Sequence, residues 1–301
     1  MNRPDLPLNP FFNLQSRYLV LGTFLIASFV VGGLYGILES WQILSADDPI
    51  ASVILTIAIL TAITGAILWA GQRQGLELGF LFGVGLPRFP MAYAGILVIS
   101  LLVFSLGISS VSFYLLSLGF PQHVAQLLED NSLLIGAESG YPQLYNMLTL
   151  LLLLVYAPLV EELIFRGFLL QRWSARWGLT WGIVASSVLF GALHWNNPLG
   201  LTLFGLVMGL LYVRSRSLWV PIACHSLNNF GAVGINWLSQ LAAGEQTSTV
   251  ADIQEMWWIG LILVVGSAPV LALFVWRSWP KPMDQIPYLI NAEKRFEAVV
   301  E

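Results

Sequence analysis

The sequence predicts an all-α, polytopic membrane protein with about eight transmembrane helices and both termini on the cytoplasmic side. Three observations lead there. Of 301 residues, 57% are hydrophobic and 10% charged, with a mean hydropathy of +0.76; a soluble domain carries about 25% charged residues. Apolar runs near the ~20 residues that a helix needs to cross a bilayer recur along most of the chain. The basic residues also fall on alternate connections.

The apolar runs predict helices over 18–38, 50–71, 91–119, 144–170, 179–196, 198–213, 217–238 and 257–276. Residues 1–17 are polar and contain prolines, and the run after them is longer than a signal-peptide core, so it is read as a retained first span. The third helix is long enough to tilt. Between the third and fourth lies the polar segment 120–143, where Val124, Leu127 and Leu128 share helical spacing and predict a short interfacial helix. The fourth and fifth helices should turn near Gly178, and the sixth and seventh near Arg214–Arg216. With no repeat, linker or low-complexity tract, residues 1–301 read as a single domain.

Orientation follows from charge. The first, third, fifth and seventh connections hold no Lys or Arg, and three of them carry acids: Glu39, Asp47 and Asp48; Glu129, Asp130 and Glu138; Glu245, Asp252 and Glu255. The even connections and both tails hold Arg3, Arg17, Arg73, Arg88, Arg172, Arg176, Arg214, Arg216, Arg277, Lys281, Lys294 and Arg295. The positive-inside rule then makes the even side cytoplasmic. Trp41, Trp69, Trp173, Trp181, Trp219 and Trp257 fall near predicted span ends, as an aromatic belt would. A net charge of −4 argues against nucleic-acid binding, and a lone Cys224 excludes an intrachain disulfide.

Against this apolar background a few residues stand out. Glu161 and Glu162 are adjacent in the fourth helix, and one charged side chain at mid-bilayer costs roughly 2.5–3.5 kcal/mol. Arg166 stands four residues after Glu162, the favourable order for a helical ion pair. The fifth helix carries Phe190 and His194, and the seventh carries His225 and Asn229; each pair has i,i+4 spacing and shares a face. Glu161 lies 17 residues before Gly178 and His194 lies 16 after it, so an antiparallel hairpin sets both at one depth, roughly 25 Å from the turn. His225 lies about 15 Å beyond its own turn, an offset that a tilted helix or a protruding fourth–fifth hairpin would remove.

Structural readings compete with functional ones. Glu162–Arg166 could be a neutralised bridge between packed helices, but that leaves Glu161 unexplained. Either histidine alone could tie neighbouring helices together. His123 is read as solvated and Cys224 as a packed thiol, because it points about 100° away from His225. The small-residue pairs Gly178–Gly182 and Gly205–Gly209 read as close helix packing. Pro158 and Pro221 precede the acids and His225 and free backbone carbonyls for other partners.

The run Glu161-Glu162-Leu-Ile-Phe-Arg166 fits EExxxR, Phe190-Gly-Ala-Leu-His194 fits FxxxH, and His225-Ser-Leu-Asn-Asn229 fits HxxxN. Three such motifs in order, each in an apolar helix, resemble the CPBP intramembrane proteases: type II CAAX prenyl endopeptidases and bacteriocin-processing, ABI-like proteins. The resemblance covers a core of about residues 144–238. It implies that Glu161 activates a water for attack on a peptide carbonyl and that His194 holds that water. Glu162, Arg166 and Phe190 would be supporting residues, and His225 and Asn229 would face the oxyanion or the substrate backbone. Prenyl recognition is not encoded in the motifs.

The chemistry needs a base within reach of water and donors at the oxyanion, and these residues supply both without a metal. The alternative is a catalytic zinc held by Glu161, His194 and His225 with water in fourth place. The HExxH spacing of zincins is absent. The expected substrate class is a membrane-associated peptide, lipidated or not, met in a plasma (inner) membrane or endomembrane at a site open to the cytoplasmic side. The rivals are a transporter or proton relay built on the same acids and imidazoles, and a non-catalytic membrane partner.

Overall fold

The computed structural model describes residues 9–42, 48–83, 89–129, 139–243 and 249–300. Arg3, Asp47, Arg88, Asp130, Glu138 and Glu245 from the charge pattern lie outside the described residues. Eleven helices follow a 3₁₀ turn at Pro10–Phe12, with no strand among the described residues. They are α1 Arg17–Ser40, α2 Ile50–Arg73, α3 Leu78–Phe82, α4 Met91–Gly119, α5 Pro121–Glu129 and α6 Pro142–Trp177. After these come α7 Leu179–Leu193, α8 Pro198–Ser215, α9 Trp219–Ala243, α10 Val250–Ser278 and α11 Pro287–Val300.

All eight expected helices are present, and the all-α membrane architecture holds. Six of them (α1, α2, α4, α6, α8 and α10) are long and apolar enough to span. The other two depart from expectation for different reasons. α9 has the length, but its polar His225, Asn228, Asn229, Asn236 and Gln240 dilute its hydropathy. α7 has only 15 residues and stops at Leu193, not at 196. Asn197 and Pro198 explain the stop: Asn197 Oδ1 accepts the Gly200 N–H at 3.1 Å as the N-cap of α8, and Pro198 opens that helix. His194 therefore terminates α7 and does not lie within it. The expected helix in segment 120–143 is α5, with Val124 fully buried and Leu127 and Leu128 half-buried. α3 and α11 are too short or too polar to have stood out in a search for spans.

Burial identifies the centre. Half of the most apolar window of α6, and half of that of α8, lies inside the protein, against 22% for α2, α4 and α10 and 6% for α1. α6 packs on α2, α7, α8 and α9, so the helix bearing the two acids is enclosed on most sides. α4 and α10 run antiparallel alongside, as the pairs Tyr93–Phe274, Tyr114–Trp257 and Ser117–Gln254 show.

α7 is held between its neighbours by two close approaches. A Cβ at Gly182 would lie 2.0 Å from Ser174 Oγ and 2.6 Å from the Leu170 carbonyl of α6; one at Gly191 would lie 2.0 Å from Thr202 Oγ1 and 2.5 Å from the Pro198 carbonyl at the start of α8. Gly205 is packed in a similar way: a Cβ there would lie 3.0 Å from Ser187 Cα. Gly178 differs from the packing expectation: its φ of +84° makes it the turn itself, with open space around it.

At the end of the bundle where α6 and α8 finish, Gln171 donates to Tyr212 Oη at 2.8 Å and accepts from the Tyr288 N–H of α11 at 3.3 Å. Asn291 of α11 donates to the carbonyls of Phe80 and Arg216, both at 2.8 Å. The Gln171–Tyr212 bond also sets the level of α6 against α8: α6 continues six residues beyond Gln171 and α8 three beyond Tyr212, a net overrun of three residues, roughly 4.5 Å. The α6–α7 hairpin therefore protrudes, which accounts for about half of the depth offset expected for His225, and the 2.9 Å approach of His225 to Glu162 shows that the two nevertheless meet at one level.

Candidate active site

Two acids on one helix meet an imidazole from another. Glu162 is fully buried, and its Oε1 accepts from Arg166 Nη1 at 2.8 Å and lies 2.9 Å from His225 Nδ1. Glu161, about 100° further round α6, keeps 17% of its side chain exposed, and its Oε2 stands 3.9 Å from His225 Nε2. One ring thus faces both carboxylates, one through each nitrogen. Glu162 accepts from Arg166, so it is the acceptor toward His225 as well: Nδ1 carries the hydrogen, and Nε2 is turned to Glu161. Glu162 Oε2 is buried and has no hydrogen-bond partner.

Arg166 is the counter-charge of this cluster. It is 1% exposed, Nη2 donates to the Gly205 carbonyl of α8 at 3.1 Å, and the guanidinium lies 4.8 Å from the Phe190 ring centre. The close α7–α8 packing at Gly205 brings that carbonyl within reach. Phe190, also 1% exposed, organises the rest. Its ring centre is 4.5 Å from His194, 5.0 Å from Phe165, 5.7 Å from Phe204 and 6.0 Å from His225.

His194 is half-buried at the end of α7, where the helix leaves the Phe190 carbonyl without its N–H partner; His194 Nδ1 takes that carbonyl at 2.7 Å. The backbone oxygen only accepts, so the hydrogen is on Nδ1 and Nε2 is left free to accept from water or bind a metal. Both histidines are thus anchored through Nδ1, with Nε2 available.

Asn229 is the seventh residue of the motif set, and its side chain has a structural partner. α6 is π-helical over Leu152–Tyr156, where the Ala157 N–H bonds the Leu152 carbonyl five residues back. In that register the Leu153 carbonyl would take the N–H of residue 158, but Pro158 has none. Asn229 Nδ2 supplies the missing donor at 2.8 Å. Replacing Asn229 with Ala should leave that carbonyl unpaired and cost about 1–3 kcal/mol. Unfolding in detergent should show most of this loss vanish in a Pro158→Ala background, where the backbone provides the donor; equal losses in both backgrounds would refute the link.

The structure therefore brings Glu161, Glu162, Arg166, His225, Phe190 and His194 into one connected cluster. Phe204, 4.9 Å from His225 and edge-on to it, and the carbonyls of Gly205 and Leu153 were not anticipated. An apolar ring in an apolar helix gives no sequence signal, and carbonyls give none at all. The Gly205–Gly209 pattern announced close packing without showing that a buried arginine would use it. Cys224 is a buried free thiol, and His123 is exposed, as expected.

Fold and cluster together define an integral membrane protein with a buried acid–imidazole–guanidinium site. Residues 143–231 match the family model "Type II CAAX prenyl endopeptidase Rce1-like". The chain is 24% identical over 192 residues, 63% of its own length and 68% of the relative's, to the Bacillus subtilis (strain 168) protein named "Putative membrane peptidase YdiL". It is 35% identical over 96 residues, 30% of its length and 43% of the relative's, to an Escherichia coli protein named "Uncharacterized 24.3 kDa protein". No solved structure gives a significant match. The matched segment covers all three motifs, so over these residues the chain is similar to the Rce1-like family, in line with the resemblance to the CPBP proteases.

Proposed function

We propose that the protein is an intramembrane endopeptidase that hydrolyses a peptide bond of a membrane-associated substrate with a water activated by Glu161. One observation carries the reading: of two adjacent acids, the first is partly reachable and faces His225 Nε2, whereas the second is sealed against Arg166 and holds His225 Nδ1. Glu161 takes a proton from the water, which attacks the carbonyl carbon. His225, in its imidazolium form and held by Glu162 through Nδ1, donates its Nε2–H to the developing oxyanion, and the C–N bond breaks as Glu161 returns the proton to the leaving amine. His194 Nε2 accepts from the attacking water and orients it. Asn229 acts chiefly through the Leu153 carbonyl, fixing α9 and with it His225 against α6. The basic ends of the helices support a cytoplasmic side for both termini, and a site open to that side is part of the proposal.

The family model's name supports a lipidated, CAAX-type peptide as the first substrate class to try. The expected result with purified protein in nanodiscs is cleavage of a quenched membrane-anchored peptide, lost on His194→Ala. Faster cleavage of the prenylated peptide than of its unmodified twin would favour lipid recognition, and equal rates would remove it.

Zinc held by Glu161, His194 and His225 is the alternative chemistry. As placed, these residues do not form that site: no three His, Cys, Asp or Glu residues among the described ones stand where they could hold a metal ion. Cleavage should persist in a strong chelator; loss of activity with recovery on adding zinc would replace the glutamate-activated water with a metal-bound one.

A further inference from the structure

Roughly 15 Å along α6 from Glu162, a second site opens that the hydrolytic chemistry does not use. It is a cavity of about 360 Å³ between the start of α1 and the end of α6, lined by Phe12, Asn13, Ser16, Arg17, Arg172 and Arg176, among others. Three guanidiniums converge on it, and none is in an ion pair with an acid among the described residues. Arg172 is the informative one. It is only 7% exposed, its Nε donates to the Leu14 carbonyl, and its Nη1 is buried without a hydrogen-bond partner. A buried cationic donor with nothing to bond is costly unless an anion completes it.

The surroundings indicate which anion. Trp173 donates to Ser16 Oγ at 3.4 Å and stacks on Trp177, and Trp181 at the start of α7 is 63% exposed. Indoles gathered at helix ends mark the headgroup level of a bilayer. A planar guanidinium fork matches phosphate oxygens two at a time, and the cavity has room for a phosphate with its substituents. We propose that this cavity binds a phosphate group, presented by an anionic lipid headgroup or by free inorganic phosphate, with Arg172 at its base and Arg17 and Arg176 at its mouth.

The test is thermal unfolding of the detergent-solubilised full chain with dioleoylphosphatidylglycerol, dioleoylphosphatidylcholine or inorganic phosphate. Arg17 and Arg176 are exposed, so the Arg17→Gln/Arg176→Gln double variant should fold even if Arg172→Gln does not. A bound anion raises the midpoint by mass action. We expect phosphatidylglycerol to raise the wild-type midpoint more than phosphatidylcholine does, with the double variant needing about ten-fold more lipid for the same shift. A shift from inorganic phosphate equal to that from phosphatidylglycerol, and equally weakened in the double variant, makes the free anion the ligand. A wild-type midpoint unmoved by either phosphate source, or a shift of the same size in the double variant, overturns the proposal.

Discussion

Glu161→Gln should reduce peptide cleavage about 10²- to 10⁴-fold, the usual share of a positioned general base, while leaving the unfolding midpoint near that of wild type. The two halves of that expectation come from one fact: Glu161 is partly exposed and makes no short bond, its nearest charged partner being His225 at 3.9 Å. Glutamine keeps the size and removes the basicity. A midpoint lowered by several degrees would mean that Glu161 is structural. Wild-type cleavage by the variant would remove the proposed base.

Arg166→Met should be the most damaging single change to the fold. It leaves Glu162 wholly buried with no fixed cation, and breaking one side of a buried pair costs about 3–5 kcal/mol. The bond to the Gly205 carbonyl and the contact with the Phe190 ring are lost as well. Lysine should not rescue, because a single ammonium cannot span Glu162 Oε1 and the Gly205 carbonyl as the guanidinium does. Adding Glu162→Gln removes the stranded charge and should recover part of the stability but not the cleavage, because His225 then lacks its carboxylate. Unfolding of the three variants in detergent checks this. Equal stability of Arg166→Met and wild type would contradict it.

The membrane class and the eight helices were legible because spanning demands long apolar runs, a requirement that composition cannot hide. The end of α7 was misread because hydropathy continues through Trp195, while the stop signal is local: an asparagine cap followed by Pro198. The pairing of Glu162 with Arg166 was readable from i,i+4 spacing alone. That His225 would sit on Glu162 was not readable, since it depends on the relative depth and packing of α6, α8 and α9, which sequence does not record. For Asn229 the sequence carried both halves, a proline inside α6 and a polar residue four after His225. Only the π-helical register at Leu152–Tyr156 connects them.

The central claim is that this buried cluster cuts a membrane substrate, and it is tested most directly in cells. Membrane proteins from cells expressing wild type, from cells lacking the protein and from cells expressing Glu161→Gln would be compared by mass spectrometry of their chain ends. The account predicts a shortened product with wild type, and its uncut precursor accumulating in the other two. A product equally abundant in the Glu161→Gln cells, or chain ends identical in all three, would contradict it.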